Sequence, residues 1–256
     1  ARLGPDAAKR SVFMDLYAEK VQAYLDQTGA TQRHLAQIAA KNSDNGTRNP
    51  LAQFQSANDT EAVLASRPII EPLTLLMCSG MSDGAAALVL ATQQAAKSRG
   101  LGGPVIAGSA VRSESFETGG SQMRRVAEIA YEQAGISSAD IDIAEVHDAT
   151  SPGELFAYED IGLAEYGEGW KLVDDGTVFA GGRCPVNPSG GLLSRGHPIG
   201  ATGVAQICEI TLHLRGDAGE RQVKGAKLGF AHCLGGQASF GATSGAAAMA
   251  ATIVAA

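Results

Sequence analysis

Residues Asn187 to Gly203 read Asn-Pro-Ser-Gly-Gly-Leu-Leu-Ser-Arg-Gly-His-Pro-Ile-Gly-Ala-Thr-Gly. Five glycines and two prolines sit between polar turn residues and the apolar run Val204 to Leu214. Such a density of glycine requires left-handed backbone or close approach to another group. His197 lies between Gly196 and Pro198. Pro198 fixes its own φ and pushes His197 toward an extended conformation. The pattern therefore predicts a rigid turn presenting an imidazole, then a helix from Ala201 or Thr202 to Arg215. A histidine ahead of a helix N-terminus feels the positive end of the helix dipole, which favours its neutral form. A neutral ring at neutral pH can take a proton or donate one. The alternative is a structural turn with a solvated His197.

The 256 residues are 45% apolar, enough to bury a core in one large domain or two smaller ones. Aromatic residues make up only 5% and glycines number 32, which suggests closely packed layers joined by many turns. The net charge of −7 offers no basic footprint for nucleic acid. Four cysteines, Cys78, Cys184, Cys208 and Cys233, are widely spaced without a C-x-x-C pair. That argues against a zinc site and a disulfide framework, and fits a reducing compartment such as the cytoplasm. The first residues lack the apolar segment of a signal peptide. The small-residue tail Ala242 to Ala256 is too short and too weakly apolar to span a bilayer.

Along the chain, Asp6 to Thr28 has helical spacing, and Thr31 can cap a second helix carrying Leu35, Ile38 and Ala39 inward. Lys41 to Gln55 reads as a polar loop, and Thr60 to Ser66 as a short helix. Ala85 to Leu90 reads as a buried strand and Ala91 to Arg99 as a helix. Gly100 to Pro104 is a linker by composition. Beyond it, strands are expected at Val105 to Val111, Ile141 to Val146 and Lys227 to Ala231, with a last one within Ala238 to Val254. Helices are expected at Met123 to Ala134 and from Pro152 to Tyr158, with Trp170 to Gly182 irregular and Leu234 to Gln237 a turn. Alternating β and α segments argue a layered α/β fold. His34 and His213 are expected on solvated helix faces, and Cys78, Cys184 and Cys208 are expected to be structural.

Polar chemistry gathers where strands end, at His147-Asp148 and at His232-Cys233, the usual place for ligand sites in α/β sheets. Gly235 and Gly236 after Cys233 leave backbone N–H groups able to face an anionic oxygen. A thiol there could cycle a proton near neutral pH, or be a buried structural cysteine. His147 could donate a hydrogen bond at the same place or simply sit at a strand end, and Asp148 could merely cap the next helix.

The Asn187–Gly203 stretch resembles the histidine signature of the thiolase superfamily. Glu145-Val146-His147-Asp148 resembles a strand-end motif of its sterol-carrier-protein branch. Cys233-Leu234-Gly235-Gly236 resembles the C-terminal Cys-x-Gly motif. Asp83-Gly84-Ala85-Ala86-Ala87, Lys41-Asn42 and Asn49-Pro50-Leu51-Ala52-Gln53-Phe54 are also similar. The resemblance implies the five-layered thiolase-like α/β fold. It divides the chain into a partial, mainly helical loop domain (1–66), the closing strand and helix of an N-terminal α/β domain (67–103) and a C-terminal domain (104–256). It implies acyl-CoA and CoA as substrates, no cofactor or metal, no nucleic-acid partner and a homodimer or homotetramer, with peroxisome or mitochondrion as other compartments. By resemblance, His197 would activate a nucleophilic cysteine and, with His147, form an oxyanion hole. Cys233 would shuttle the α-carbon proton beside the Gly235 N–H. Three departures stand out. No motif of the acylated cysteine is present, so that thiol is expected from a preceding segment. Ala149-Thr150 follows His147-Asp148 where the branch often has Cys-Phe. Cys233 stands where the branch often has Asn. Related non-catalytic lipid or acyl-CoA binding and steroid side-chain aldolase chemistry are the alternatives.

Overall fold

The computed structural model describes residues 11–113, 122–236, 238–240 and 243–256. The expected start of the first helix, 6–10, and the turn residue Gln237 lie outside them. The helices are α1 Val12–Gln27, α2 Gln32–Thr47, α3 Thr60–Ala65, α4 Gln93–Lys97, α5 Gln122–Ala134, α6 Ser151–Asp160, α7 Lys171–Asp174, α8 Gly191–Ser194 and α9 Thr202–Arg215. The strands are β1 Pro68–Ile70, β2 Leu73–Thr74, β3 Val105–Arg112, β4 Ile143–Glu145, β5 Leu228–Gly235, β6 Ala238–Phe240, β7 Thr243–Gly245 and β8 Ala248–Ala255.

A mixed sheet in the order β3-β8-β5-β4 organises the second half. β8 runs antiparallel to β3 and β5, and β4 runs parallel to β5. Strand alternation sorts the side chains between two faces. Phe230, Met249, Ala251 and Ile253 join the main core, where Tyr131 of α5 meets Phe230 at 5.3 Å between ring centroids. Ala231 and Val254 face the other way and pack on Ile210 of α9. The sheet is thus sandwiched between α5 and α9. Close approach depends on two glycines. A Cβ at Gly108 would stand 2.2 Å from Ala130 O of α5, and one at Gly229 would stand 2.2 Å from Ile210 Cγ2 of α9.

The first half packs onto this unit through α6, which is buried along nearly its whole length. α1 meets α6 through the edge-on ring pair Tyr24–Phe156 at 5.6 Å. Glu159 of α6 accepts the N–H groups of Gly167 and Gly169 and the Tyr24 hydroxyl.

Several expectations need correction. Lys41 to Thr47 is not loop but the continuation of α2, whose Asn and Gly content hid a helix with one polar buried face. Ala85 to Leu90 forms no strand among the described residues: Val89 is 99% exposed and Leu90 74%. An apolar run becomes a strand only beside another, and none of the described strands lies alongside it. β5 continues through His232 and Cys233 to Gly235, because β8 pairs with it as far as Ala248. His34 is buried rather than solvated. Its Nδ1 accepts the Thr31 N–H at 2.9 Å, its Nε2 lies 3.2 Å from Asp174, and its ring sits 5.4 Å from that of Trp170. His213 is also buried, with Nδ1 accepting the Val223 N–H and Nε2 3.3 Å from Glu209.

Gly108→Val should lower unfolding stability by about 2 kcal/mol or more, because the added carbons meet backbone rather than a movable side chain. Urea denaturation followed by circular dichroism measures it; an unchanged midpoint contradicts this packing.

Candidate functional site

His147 lies two residues past the end of β4, while His197 stands on the loop between α8 and α9. Their rings meet edge-on, with centroids 5.0 Å apart at 88°. The structure therefore brings together the two histidines that the sequence singled out.

The His147 end is held by unusual partners. The Val146 N–H donates to Asn187 Oδ1 at 2.8 Å, and the His147 N–H donates to His232 Nδ1 at 3.2 Å. Asn187 takes a left-handed φ of 54°, a conformation Asn tolerates better than most side chains. All its polar groups find partners there. Its N–H donates to Ala144 O, its Nδ2 to Glu154, and its carbonyl accepts Asn45 Nδ2.

The His197 end hangs from Asp148. This carboxylate is fully buried and accepts the N–H groups of Leu192 at 2.7 Å and Leu193 at 3.3 Å, and Asn42 Nδ2 at 2.8 Å. Asp148 thus holds the first turn of α8, the turn leading into the His197 loop, and not α6, whose cap is Thr150. A Cβ on Gly191 (φ 60°) would lie 2.2 Å from Asp148, so glycine is required there. Glu145 bonds the Ser189 N–H and hydroxyl and lies 3.6 Å from Arg195.

α2 closes the base of the site with residues read beforehand as loop. Lys41 reaches Glu154 at 2.6 Å, Asn42 bridges Asp148 and Glu154, and Asn49 donates to Ser189 O at 2.9 Å. Lys41, Asn42 and Asn45 recur at helical spacing on one face of α2, and Asn49 follows just past its end. That recurrence was the available signal.

Burial first, and then the neighbouring rings of His197 and His232, push the His147 pKa down to about 3. Burial, and then the Arg195 guanidinium, lower that of His197. Both rings are neutral at pH 7. His197 Nδ1 is 2.8 Å from Thr202 Oγ1, and the Thr202 hydroxyl reaches Pro198 O at 3.1 Å. With the hydroxyl donating to that carbonyl, Nδ1 carries the ring proton. Nε2 then presents a lone pair, the arrangement a general base needs.

Cys233 faces the α9 side of the sheet. Its Sγ lies 3.3 Å from where a Gly203 Cβ would be, so Gly203 leaves room for the thiol one residue from Thr202. Burial raises its pKa, so it is a thiol at neutral pH. Gly235 lies two residues further along β5, exposed and opposite Ala248. Beside the α8 turn, a cavity of about 420 Å³ is lined mainly by apolar groups of Ala39, Phe54, Val63, Leu75, Leu76 and Leu193. Among the described residues, no cluster of three or more His, Cys, Asp or Glu is placed to hold a metal ion. None of the described helices is long and apolar enough to cross a membrane.

Two measurements follow from this geometry. The ring C2–H resonance of His147 should not titrate between pH 8 and 5, since its pKa lies near 3 and it takes up a proton only below that range; a midpoint near 6.5 contradicts the burial. Asp148→Ala strands two helix N–H groups and should lower stability by about 3 kcal/mol, read as a fall in the thermal midpoint.

A family model described as thiolase C-terminal domain-like matches residues 107–244, just over half of the chain. Sterol carrier protein 2 of Oryctolagus cuniculus is 40% identical over 232 residues, 86% of this chain and 42% of its own length. Benzoylsuccinyl-CoA thiolase subunit BbsB of Thauera aromatica is 40% identical over 234 residues, 88% of this chain and 61% of its own. An acetyl-CoA acetyltransferase of Methanothermobacter thermautotrophicus is 39% identical over 238 residues, 90% and 62% respectively. The chain thus spans between about two fifths and three fifths of these relatives. Among solved structures, the Ltp2-ChsH2(DUF35) aldolase superposes with a TM-score of 0.77 at 25% identity, over 93% of this chain and 62% of that one. The acetyl-CoA acetyltransferase of Bacillus anthracis superposes with a TM-score of 0.65 at 19% identity, over 93% and 59%, a likeness of fold. With its α/β fold and this family match, the chain belongs to the thiolase superfamily.

Proposed function

We propose that the protein is an acyl-CoA thiolase, cleaving 3-oxoacyl-CoA with CoA or running the reverse Claisen condensation. The observation that carries this reading is the contact of two neutral imidazoles, His147 and His197. The acylated cysteine is supplied by a segment outside these 256 residues. Its thiol gives its proton to His197 Nε2, and the thiolate attacks the 3-oxo carbon. The C2–C3 bond then breaks, leaving an acyl thioester on the nucleophile. Its electron pair passes to the α-carbon of the departing acyl-CoA, which takes the proton of Cys233. An incoming CoA thiol gives a proton back to the Cys233 thiolate and displaces the acyl group, and the released cysteine thiolate takes its proton back from His197. His147 and His197 donate to the thioester oxygen, and the Gly235 N–H to the enolate oxygen. The apolar cavity beside α8 receives the acyl chain. No cofactor beyond substrate CoA enters the reaction, and the working form is a homo-oligomer.

His197→Ala should lower thiolytic turnover about a hundredfold to ten-thousandfold while leaving the circular dichroism spectrum intact. Unchanged turnover contradicts the assignment. A second reading, aldolase chemistry, is favoured by the TM-score of 0.77 to an aldolase. CoA dependence separates the two: a thiolase needs CoA and yields two thioesters, whereas an aldolase splits a 3-hydroxyacyl-CoA without it. Binding of acyl-CoA with neither turnover would mark a lipid-binding protein.

A further inference from the structure

The face of β5 opposite Cys233 carries His232, which the reaction above does not use. It is fully buried. A sheet interior ordinarily fills such a place with an apolar residue like neighbouring Phe230, because an imidazole brings two polar atoms needing partners. His232 Nδ1 has one: it accepts the His147 N–H at 3.2 Å. The reason lies in the parallel ladder, which pairs Ile143, Ala144 and Glu145 of β4 with Gly229, Phe230 and Ala231 of β5 and ends there. The next two amides have left the ladder. Asn187 Oδ1 takes that of Val146, and the His232 ring takes that of His147. Because Nδ1 accepts, the single proton of the neutral ring resides on Nε2. Burial holds the pKa of this ring down near 3, so the accepting lone pair persists at physiological pH. The same residue is tied to the His197 side of the site, since its carbonyl accepts Gln206 Nε2 of α9 at 3.0 Å.

We propose that His232 is a positioning residue: its Nδ1 replaces the missing ladder acceptor for the His147 N–H and so sets the aim of the His147 imidazole at His197. It touches no substrate. Phe230 and Ala231 before it and Cys233 after it do ordinary sheet packing or chemistry, so the His232-Cys233 pair serves the two faces of one strand. The acceptor alone matters, and a side chain that offers oxygen at the Nδ1 position should substitute for it.

The kinetic arm of the test rests on the thiolase reading; the exchange arm does not. In the protein as its gene encodes it, His232→Asn places Oδ1 where Nδ1 stands, while His232→Leu leaves the His147 amide without an acceptor. His232→Leu is expected to lower kcat for 3-oxoacyl-CoA thiolysis at least tenfold with KM within threefold. It is also expected to raise hydrogen exchange of the 143–149 peptide about tenfold or more. His232→Asn is expected to recover most of both. If the Leu chain does not fold, His232→Gln, whose amide reaches the Nε2 position instead, takes its place with the same expectation. Wild-type kcat and exchange in the Leu or Gln variant would overturn the proposal, as would equal losses in Asn and Leu, which would mark a packing role alone. Should the wild type catalyse no thiolysis, exchange decides by itself.

Discussion

A single buried carboxylate sets the geometry of this site. Asp148, one residue past His147, accepts two N–H groups at the start of α8, the turn that leads into the loop of His197. Free helix N–H groups carry partial positive charge, so a carboxylate facing them is favoured. Because Asp148 and His147 are neighbours in the chain, fixing α8 on one also brings His197 to the other. The two rings meet without any direct bond between them.

Placing a charge in an apolar interior is costly unless every polar group nearby is satisfied. Burial, and then the charge of Glu154, raise the pKa of Asp148 well above its ordinary value. The offset is the net on α2. Lys41 pairs with Glu154, and Asn42 joins Glu154 to Asp148. Asn187 joins Glu154 to the end of β4. This scaffold supports the site from beneath while the site itself stays apolar enough to keep its histidines neutral. Removing Asn187 leaves the buried Val146 N–H without its acceptor, so that loss exceeds the worth of one contact.

Much of this was legible in the residues. The glycine-rich stretch with His197 announced its rigid turn, because Gly and Pro act locally through φ. The second half's strands and helices followed from hydrophobic periodicity. The scaffold was hidden because it runs against composition. Lys41, Asn42 and Asn45 carry the polarity of a loop, and only their spacing shows a helix face turned inward. His34 and His213 read as solvated because their partners, Thr31 and Asp174 for one and Glu209 and Val223 for the other, are made by tertiary structure or caps. Ala85 to Leu90 had the pattern of a buried strand, but a pattern states what a segment could pair with and not what lies beside it. Asp148 was read as a cap, which is right in kind, yet it caps a helix more than forty residues away.

The central claim is that the two imidazoles converge on one carbonyl oxygen. A crystal structure of the full-length protein acylated by a 3-oxoacyl-CoA measures this directly. The account predicts the thioester oxygen within about 3.2 Å of a ring nitrogen of both His147 and His197. An acyl oxygen bonded to neither ring, or held by groups on another face of the molecule, would contradict it.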